Sequence, residues 1–226
     1  MPLQNRVDPF GHLHAVAARG AWMGNRGVLH DARKRIVAEH RLERWITCVL
    51  TFRGRHREVF TPGRYTELFF LDEATSLAAG HRPCAECRRS RYEEFRAAWA
   101  RGRGEAAAAP LPSAVAIDAV LHAERLSPDG GKKTYEAPLS SLPDGSMIEH
   151  AGLPHLLWRG SLRPWSFEGY GAPVRVSADA RVRVLTPKSI VRAIRAGFTP
   201  QVDGSASGGR LTAPSPRRAS DRLDPG

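Results

Sequence analysis

Residues 81–87 read His-Arg-Pro-Cys-Ala-Glu-Cys, and no other stretch limits the folding of this chain as much. Cys84 and Cys87 stand three positions apart, a spacing that lets two thiolates face one point. A helical pattern starts directly behind them. Over 85–101, Tyr92, Phe95 and Trp99 fall at i, i+3 and i+7, an apolar stripe that must dock on something, while Arg89, Glu93 and Arg96 take the opposite face. Amides at the start of such a helix help to neutralise thiolates. A lone C-x2-C pair has three readings: half of a metal site, a redox pair, or two unrelated thiols. Redox pairs usually follow a strand in a thioredoxin-like pattern. Here a short helix precedes the pair, with Asp72 placed to cap 73–79 and Gly80 to end it. The metal reading, with zinc as the ion, therefore leads.

A closed zinc site takes four ligands. The chain holds three cysteines in all, too few for a disulfide framework, so Cys48 is the one further thiol. It sits in Trp45–Phe52, rich in β-branched and aromatic residues and so a predicted strand. Buried free cysteines are common in strands, which is the plainer account of Cys48. His56 and His81 are the nearest histidines, with His30 and His40 further off. His56 lies among Arg53, Arg55 and Arg57, where an exposed basic hairpin explains it equally well. His81 would have to turn back from a glycine-containing loop to join the two cysteines.

The stretch Phe69-Phe70, Ala74, then Ala78-Ala79-Gly80-His81-Arg82-Pro83-Cys84-Ala85-Glu86-Cys87-Arg88 resembles the second half of the Ada-type metal-binding domain of the bacterial alkylation-response DNA-repair protein. The resemblance covers residues 69–88. It implies a small sheet beside the C-x2-C helix, a bound zinc and contact with DNA. In that family four cysteines hold the metal and one accepts a methyl group. The family's first cysteine pair has no counterpart here, because Arg53 to Arg57 stand in that region. Methyl transfer is therefore not expected. The position of His81 is aromatic in the family pattern, so the resemblance does not support His81 as a ligand.

The charge balance bears on partners. Thirty-four Lys and Arg against 23 Asp and Glu leave a net charge of +11. Of that surplus, +7 falls within residues 1–110, which hold 19 basic and 12 acidic residues. Such a surplus suits nucleic acid, DNA first of all, with Arg53, Arg55, Arg57, Arg88 and Arg89 as the expected phosphate contacts. Only four of the basic residues are lysines, and an arginine-heavy, alanine-rich composition has the same look without any such role. No apolar run approaches eighteen residues, so no membrane helix is expected. Nor does Met1–Phe10 offer the apolar core of a secretory signal, and a cytoplasmic location is the expectation.

A second polar cluster is Gly24-Asn25-Arg26-Gly27-Val28-Leu29-His30-Asp31. Asn25, Arg26, His30 and Asp31 could line an anion pocket or, with His30 as general base, the site of a hydrolase or nuclease. A glycine-shaped turn bonded to itself is the alternative. A metal-free interaction module is a third. The whole reads as an α+β protein: an N-terminal module over 1–105, a small antiparallel sheet against the C-x2-C helix, then a β-rich module over 112–200 with a terminal helix. Within the second, Trp158, Trp165, Phe167 and Tyr170 are either core or a stacking surface. The Gly-, Ser-, Pro- and Arg-rich stretch 201–226 reads as disordered.

Overall fold

The computed structural model of the chain describes residues 1–54, 58–106 and 108–208. The order of elements is β1 (Arg6–Val7), β2 (Leu13–His14), β3 (Trp22–Asn25), β4 (Ile46–Cys48), β5 (Leu68–Phe70), α1 (Glu73–Ala78), β6 (Arg82–Pro83) and α2 (Arg89–Gly102). Then come α3 (Ala114–Arg125), β7 (Tyr135–Pro138), β8 (Met147–His150), β9 (Leu153–Trp158), β10 (Ser161–Ser166), β11 (Gly169–Tyr170), β12 (Arg181–Val184) and α4 (Lys188–Arg195). The strands make two sheets, ordered β2-β1-β5-β3-β4-β6 and β11-β10-β9-β8-β12-β7. The protein is α+β.

The first sheet is mixed: β1 runs parallel to β5 and β4 parallel to β6, while β3 pairs antiparallel with both β4 and β5. The sequence reads Arg53–Arg55 as a hairpin turn and Arg57–Phe60 as its return strand beside β4; residues 55–57 lie outside the described residues, Val59 and Phe60 form a turn, and β4 is flanked by β3 and β6. Phe60 takes a left-handed φ of 62°, which breaks an extended run there. Gly24 permits the close centre of this sheet. A Cβ on it would lie 2.4 Å from the Phe70 ring.

The second sheet is antiparallel throughout. β12, Arg-Val-Arg-Val, alternates exposed and buried as a strand covered on one face should. The C-terminal aromatics belong to the packing. Trp158, Trp165 and Tyr170 lie in a cluster with Leu71, Ala74, Met147 and Leu156, and the Phe167 ring rests 5.1 Å from that of His14.

Two of the helices, α1 and α3, start where an N-cap side chain satisfies a first-turn amide. Asp72 accepts from Thr75 N at α1, and Ser113 from Ala116 N at α3. α2 begins at Arg89 rather than at 85, because residues 85–88 are taken up by a turn. The apolar clusters run across the connector at 105–112. Leu77, Phe95 and Trp99 pack with Ile117, Leu121, Ile190 and Phe198. A second shared cluster sets Leu71, Ala74 and Ala78 against Met147, Leu156 and Leu185, while each sheet also keeps an apolar cluster of its own.

Of the stretch expected to be disordered, 201–208 is held in place. Gln201 N donates to Glu73 Oε2 at 2.9 Å, Asp203 N donates to Asp72 Oδ2 at 3.0 Å, and Ala206 is fully buried. Those amides answer carboxylates that composition alone does not reveal as buried. Residues 209–226 lie outside the described residues.

Candidate metal centre

Two strands that end side by side bring the cysteines together. The parallel β4–β6 ladder pairs Ile46 with Arg82 and Thr47 with Pro83, and Cys84 N donates to Thr47 O at 2.9 Å. One further step along that register sets Cys48 beside Cys84. The chain then turns through 85–88, where Arg88 N donates to Cys84 O at 3.2 Å, and this turn returns Cys87 to the same place. The sulfurs of Cys48, Cys84 and Cys87 all lie within 4.8 Å of one another. Cys84 is buried, the other two half-buried, and all three are free thiols.

Backbone amides point at these sulfurs. Glu86 N donates to Cys84 Sγ at 3.4 Å. The Cys87 amide also donates to Cys84, and the Val49 amide to Cys87. Such donors stabilise thiolate over thiol. The neighbouring Cys48 and Cys87 sulfurs, and then these amides, hold Cys84 far below the usual thiol range. Cys48 is pushed up, first by its contacts with Cys84 and Cys87 and then by burial. Three sulfurs so close cannot all ionise without a cation, and a metal ion would take all three as thiolates. The arrangement can hold a soft or borderline metal by three sulfurs, leaving one position to be filled.

The other expected ligands lie apart. His81 is fully buried, with its ring 5.2 Å from Trp45 and 4.7 Å from Phe70, and Nε2 accepts from Arg26 Nε at 3.2 Å. His30 stacks on Phe60 at 4.5 Å, and its Nδ1 meets Thr66 Oγ1 at 2.7 Å. His40 sits 5.6 Å from Trp45, ring to ring. His56 lies outside the described residues, as do Arg55 and Arg57.

The four polar residues of the Gly24–Asp31 segment do not converge. Asn25 Oδ1 accepts from Gly27 N at 2.8 Å, closing a local turn. Asp31 accepts from Arg33 N and Arg35 N and pairs with the Arg35 side chain at 2.7 Å. His30 is engaged as just described. Arg26 alone reaches a cavity. A hydrolytic site built on these four has no common centre.

The expected phosphate contacts divide as well. Arg53 and Arg89 are exposed. Arg88 is buried instead: Nη2 donates to Glu73 Oε1 and to Gln201 Oε1, both at 2.7 Å, and its guanidinium lies 3.9 Å from the Trp22 ring centroid. It is structural because Glu73 beneath it is fully buried and needs a cation. Arg82 forks onto Asp118 at 2.8 and 2.7 Å, deep in the core. Arg91, Arg96 and Arg103 are each paired with a glutamate.

One ligand group was missed by sequence reasoning. Asp8 Oδ2 lies 2.8 Å from His14 Nε2 and 3.5 Å from His12 Nδ1. The signal was D-x3-H-x-H around the Phe10–Gly11 turn, a spacing that brings all three to one side when the chain doubles back from β1 to β2.

The fold and the centre define a class: an α+β protein with a three-cysteine cluster at the foot of a helix. Comparison with protein-family models, with curated proteins and with solved structures found no match.

Proposed function

We propose that this chain is a zinc-binding protein in which Cys48, Cys84 and Cys87 hold one ion, and that the same face contacts nucleic acid through its exposed arginines. One observation carries the metal: three sulfurs from two strand ends and a tight turn within 4.8 Å of one another, with backbone amides directed at them. Zinc–sulfur bonds of ~2.3 Å place sulfurs roughly 3.8 Å apart in a tetrahedron, which this cluster reaches by small side-chain rotations. The role is structural. The ion would tie β4, β6 and the start of α2 together. A fourth ligand, for which the sequence offers His56, or solvent would complete the site. The likeness of residues 69–88 to the Ada-type domain supports zinc, and the missing first cysteine pair separates this chain from methyl transfer.

Metal content by mass spectrometry tests the reading. One zinc per chain in the wild type, lost in Cys48→Ser and in Cys84→Ser, is expected. Cobalt replacement should give intense thiolate-to-cobalt absorption, and His56→Ala should change the ligand-field bands if His56 is the fourth ligand. A folded, reduced chain that carries no zinc, cobalt or other metal after loading overturns the centre.

Nucleic-acid contact rests on the net charge of +11 and on exposed arginines such as Arg41, Arg44, Arg53, Arg64 and Arg89. Binding to short duplex DNA should weaken steeply with salt, and Arg53→Ala with Arg89→Ala should make the log–log slope shallower by about one to two. Binding that is absent at low salt removes this part and leaves the metal centre standing.

A further inference from the structure

A cavity of about 330 Å³ opens between the first sheet and the turn that follows α3. Arg26, Arg125 and Lys132, from three distant parts of the chain, line it. Arg26 and Arg125 are each 1% exposed. Both guanidiniums lie against one indole, their Cζ atoms 4.0 and 3.9 Å from the Trp45 ring centroid. An aromatic face attracts a cation without neutralising it.

The partners of these cations are neutral. Arg26 Nη1 donates to Gly11 O at 2.9 Å and its Nε to His81. Arg125 Nη1 donates to Gly80 O at 3.0 Å, and the Lys132 ammonium donates to Ala78 O. Among the described residues none of the three forms an ion pair with a carboxylate, and Arg26 Nη2 and Arg125 Nε have no hydrogen-bond partner. Gly11 lines the same cavity, and a Cβ on it would stand 3.6 Å from Arg26 Nη2, so that unpartnered nitrogen lies just behind the Gly11 wall of the cavity. The two carboxylates at the rim, Glu39 and Asp129, are exposed to water.

The contrast with the other buried arginines is direct. Arg82 has Asp118 and Arg88 has Glu73, each at 2.7 Å. Here no carboxylate is in ion-pair contact; burial first, and then the neighbouring cations against the weaker pull of more distant carboxylates such as Asp8, hold Arg26 and Arg125 down to about 9 and Lys132 to about 7. Uncompensated buried cations are costly, and an anion in the cavity removes that cost.

We infer that this cavity is an anion site for the dianionic phosphate group of a small ligand, gripped by Arg26, Arg125 and Lys132 above Trp45. Three converging cations match a dianion better than a single carboxylate. The site is separate from the cysteine cluster and does not depend on a metal there.

Protein prepared without phosphate or sulfate should be titrated calorimetrically with inorganic phosphate, sodium acetate and adenosine 5′-monophosphate. Phosphate is expected to bind and acetate at least tenfold more weakly. Tighter binding of the mononucleotide assigns the remaining volume to the rest of the ligand, whereas equal affinity assigns the site to free phosphate. Lys132→Met should lose tenfold or more in phosphate affinity while keeping its metal content. Because losing a buried cation can impair folding, amide spectra of the wild type supply a second reading. Phosphate should shift Gly11, Lys132 and the Trp45 indole N–H. No binding by the folded wild type, shifts confined to other residues, or equal affinity in a folded Lys132→Met variant overturns the site.

Discussion

Glu73 shows how much one side chain holds here. It is fully buried on the first turn of α1, yet it accepts from Arg88 at 2.7 Å, from Arg91 at 2.6 Å and from Gln201 N at 2.9 Å. Its two oxygens thus join α1, the start of α2 and the chain after α4. Removing one partner of a buried charge network leaves the others unpaired. Glu73→Ala should therefore cost about 3–5 kcal/mol. Chemical denaturation checks this, and a loss under ~1 kcal/mol would show that the network contributes little.

His81 belongs to the same scale. Burial first, and then the nearby charges of Arg26, Arg125 and Lys132, hold its imidazole well below the usual range. Its Nε2 accepts from Arg26, so the neutral ring is the form the fold requires. An unfolded histidine titrates at about 6.5. The folded state then binds fewer protons than the unfolded state below that pH, so this stabilisation is complete above about 6.5 and lost as the pH falls. Between pH 7 and pH 5 the wild type should lose stability with a limiting slope near 1.4 kcal/mol per unit from this group. His81→Gln, which keeps a neutral acceptor for Arg26, should flatten that limb. Parallel curves for the two proteins would remove His81 from the account.

At the level of elements, the sequence pattern was most legible where a helix was bounded by its own chemistry. Asp72 and Gly80 mark real ends, as Ser113 does at α3, because a cap needs only residues close in sequence. Ser113→Ala should cost about 1 kcal/mol through the lost bond to Ala116 N, measured as a shift in denaturation midpoint. The strands were legible only in outline. A hairpin from β4 into Arg57–Phe60 would be the local solution, but β4 pairs with β3 and with β6, the latter over thirty residues later. Strand pairing depends on distant packing, which local alternation does not encode. For that reason Cys48 could not be assigned to Cys84 and Cys87 from spacing. The knuckle was visible as a motif, but its third sulfur arrives through a parallel ladder. Arg125 and Lys132 were hidden for the same reason, since each reaches Arg26 from about 100 residues away in sequence. Arg88 shows the converse: an arginine beside other arginines reads as surface until the buried glutamate beneath it is known.

Across the whole molecule, each sheet has an apolar cluster of its own, but two further clusters join the two halves of the chain. Tyr170 OH donates to Asp72 Oδ2 at 2.7 Å, and Trp165 Nε1 donates to Thr75 Oγ1 at 2.9 Å, so the second sheet is bonded to the first helix. Leu77 and Phe95 from the N-terminal half share a cluster with Ile117, Leu121 and Ile190. A fragment ending at 110 would expose the faces of α1 and α2 that these residues cover, so it should not fold as a cooperative unit. The segment 201–208 extends the argument to the far end of α4. It supplies the amides of Gln201 and Asp203 to Glu73 and Asp72, and it places Ala206 against Leu71, Met147 and Leu185. A chain ending at Pro200 leaves both buried carboxylates short of a donor, whereas one ending at Gly208 keeps them. Thermal unfolding of the two should differ by several degrees, since a loss of about 2–4 kcal/mol lowers the midpoint by roughly 4–16 °C in a protein of this size. On the proposed metal centre, the shorter chain should also bind zinc less tightly: Arg88, which Gln201 and Glu73 hold, directly follows Cys87 and sets where that turn ends. Equal midpoints and equal metal content in the two chains would show that the segment after α4 is only laid against the core rather than part of it.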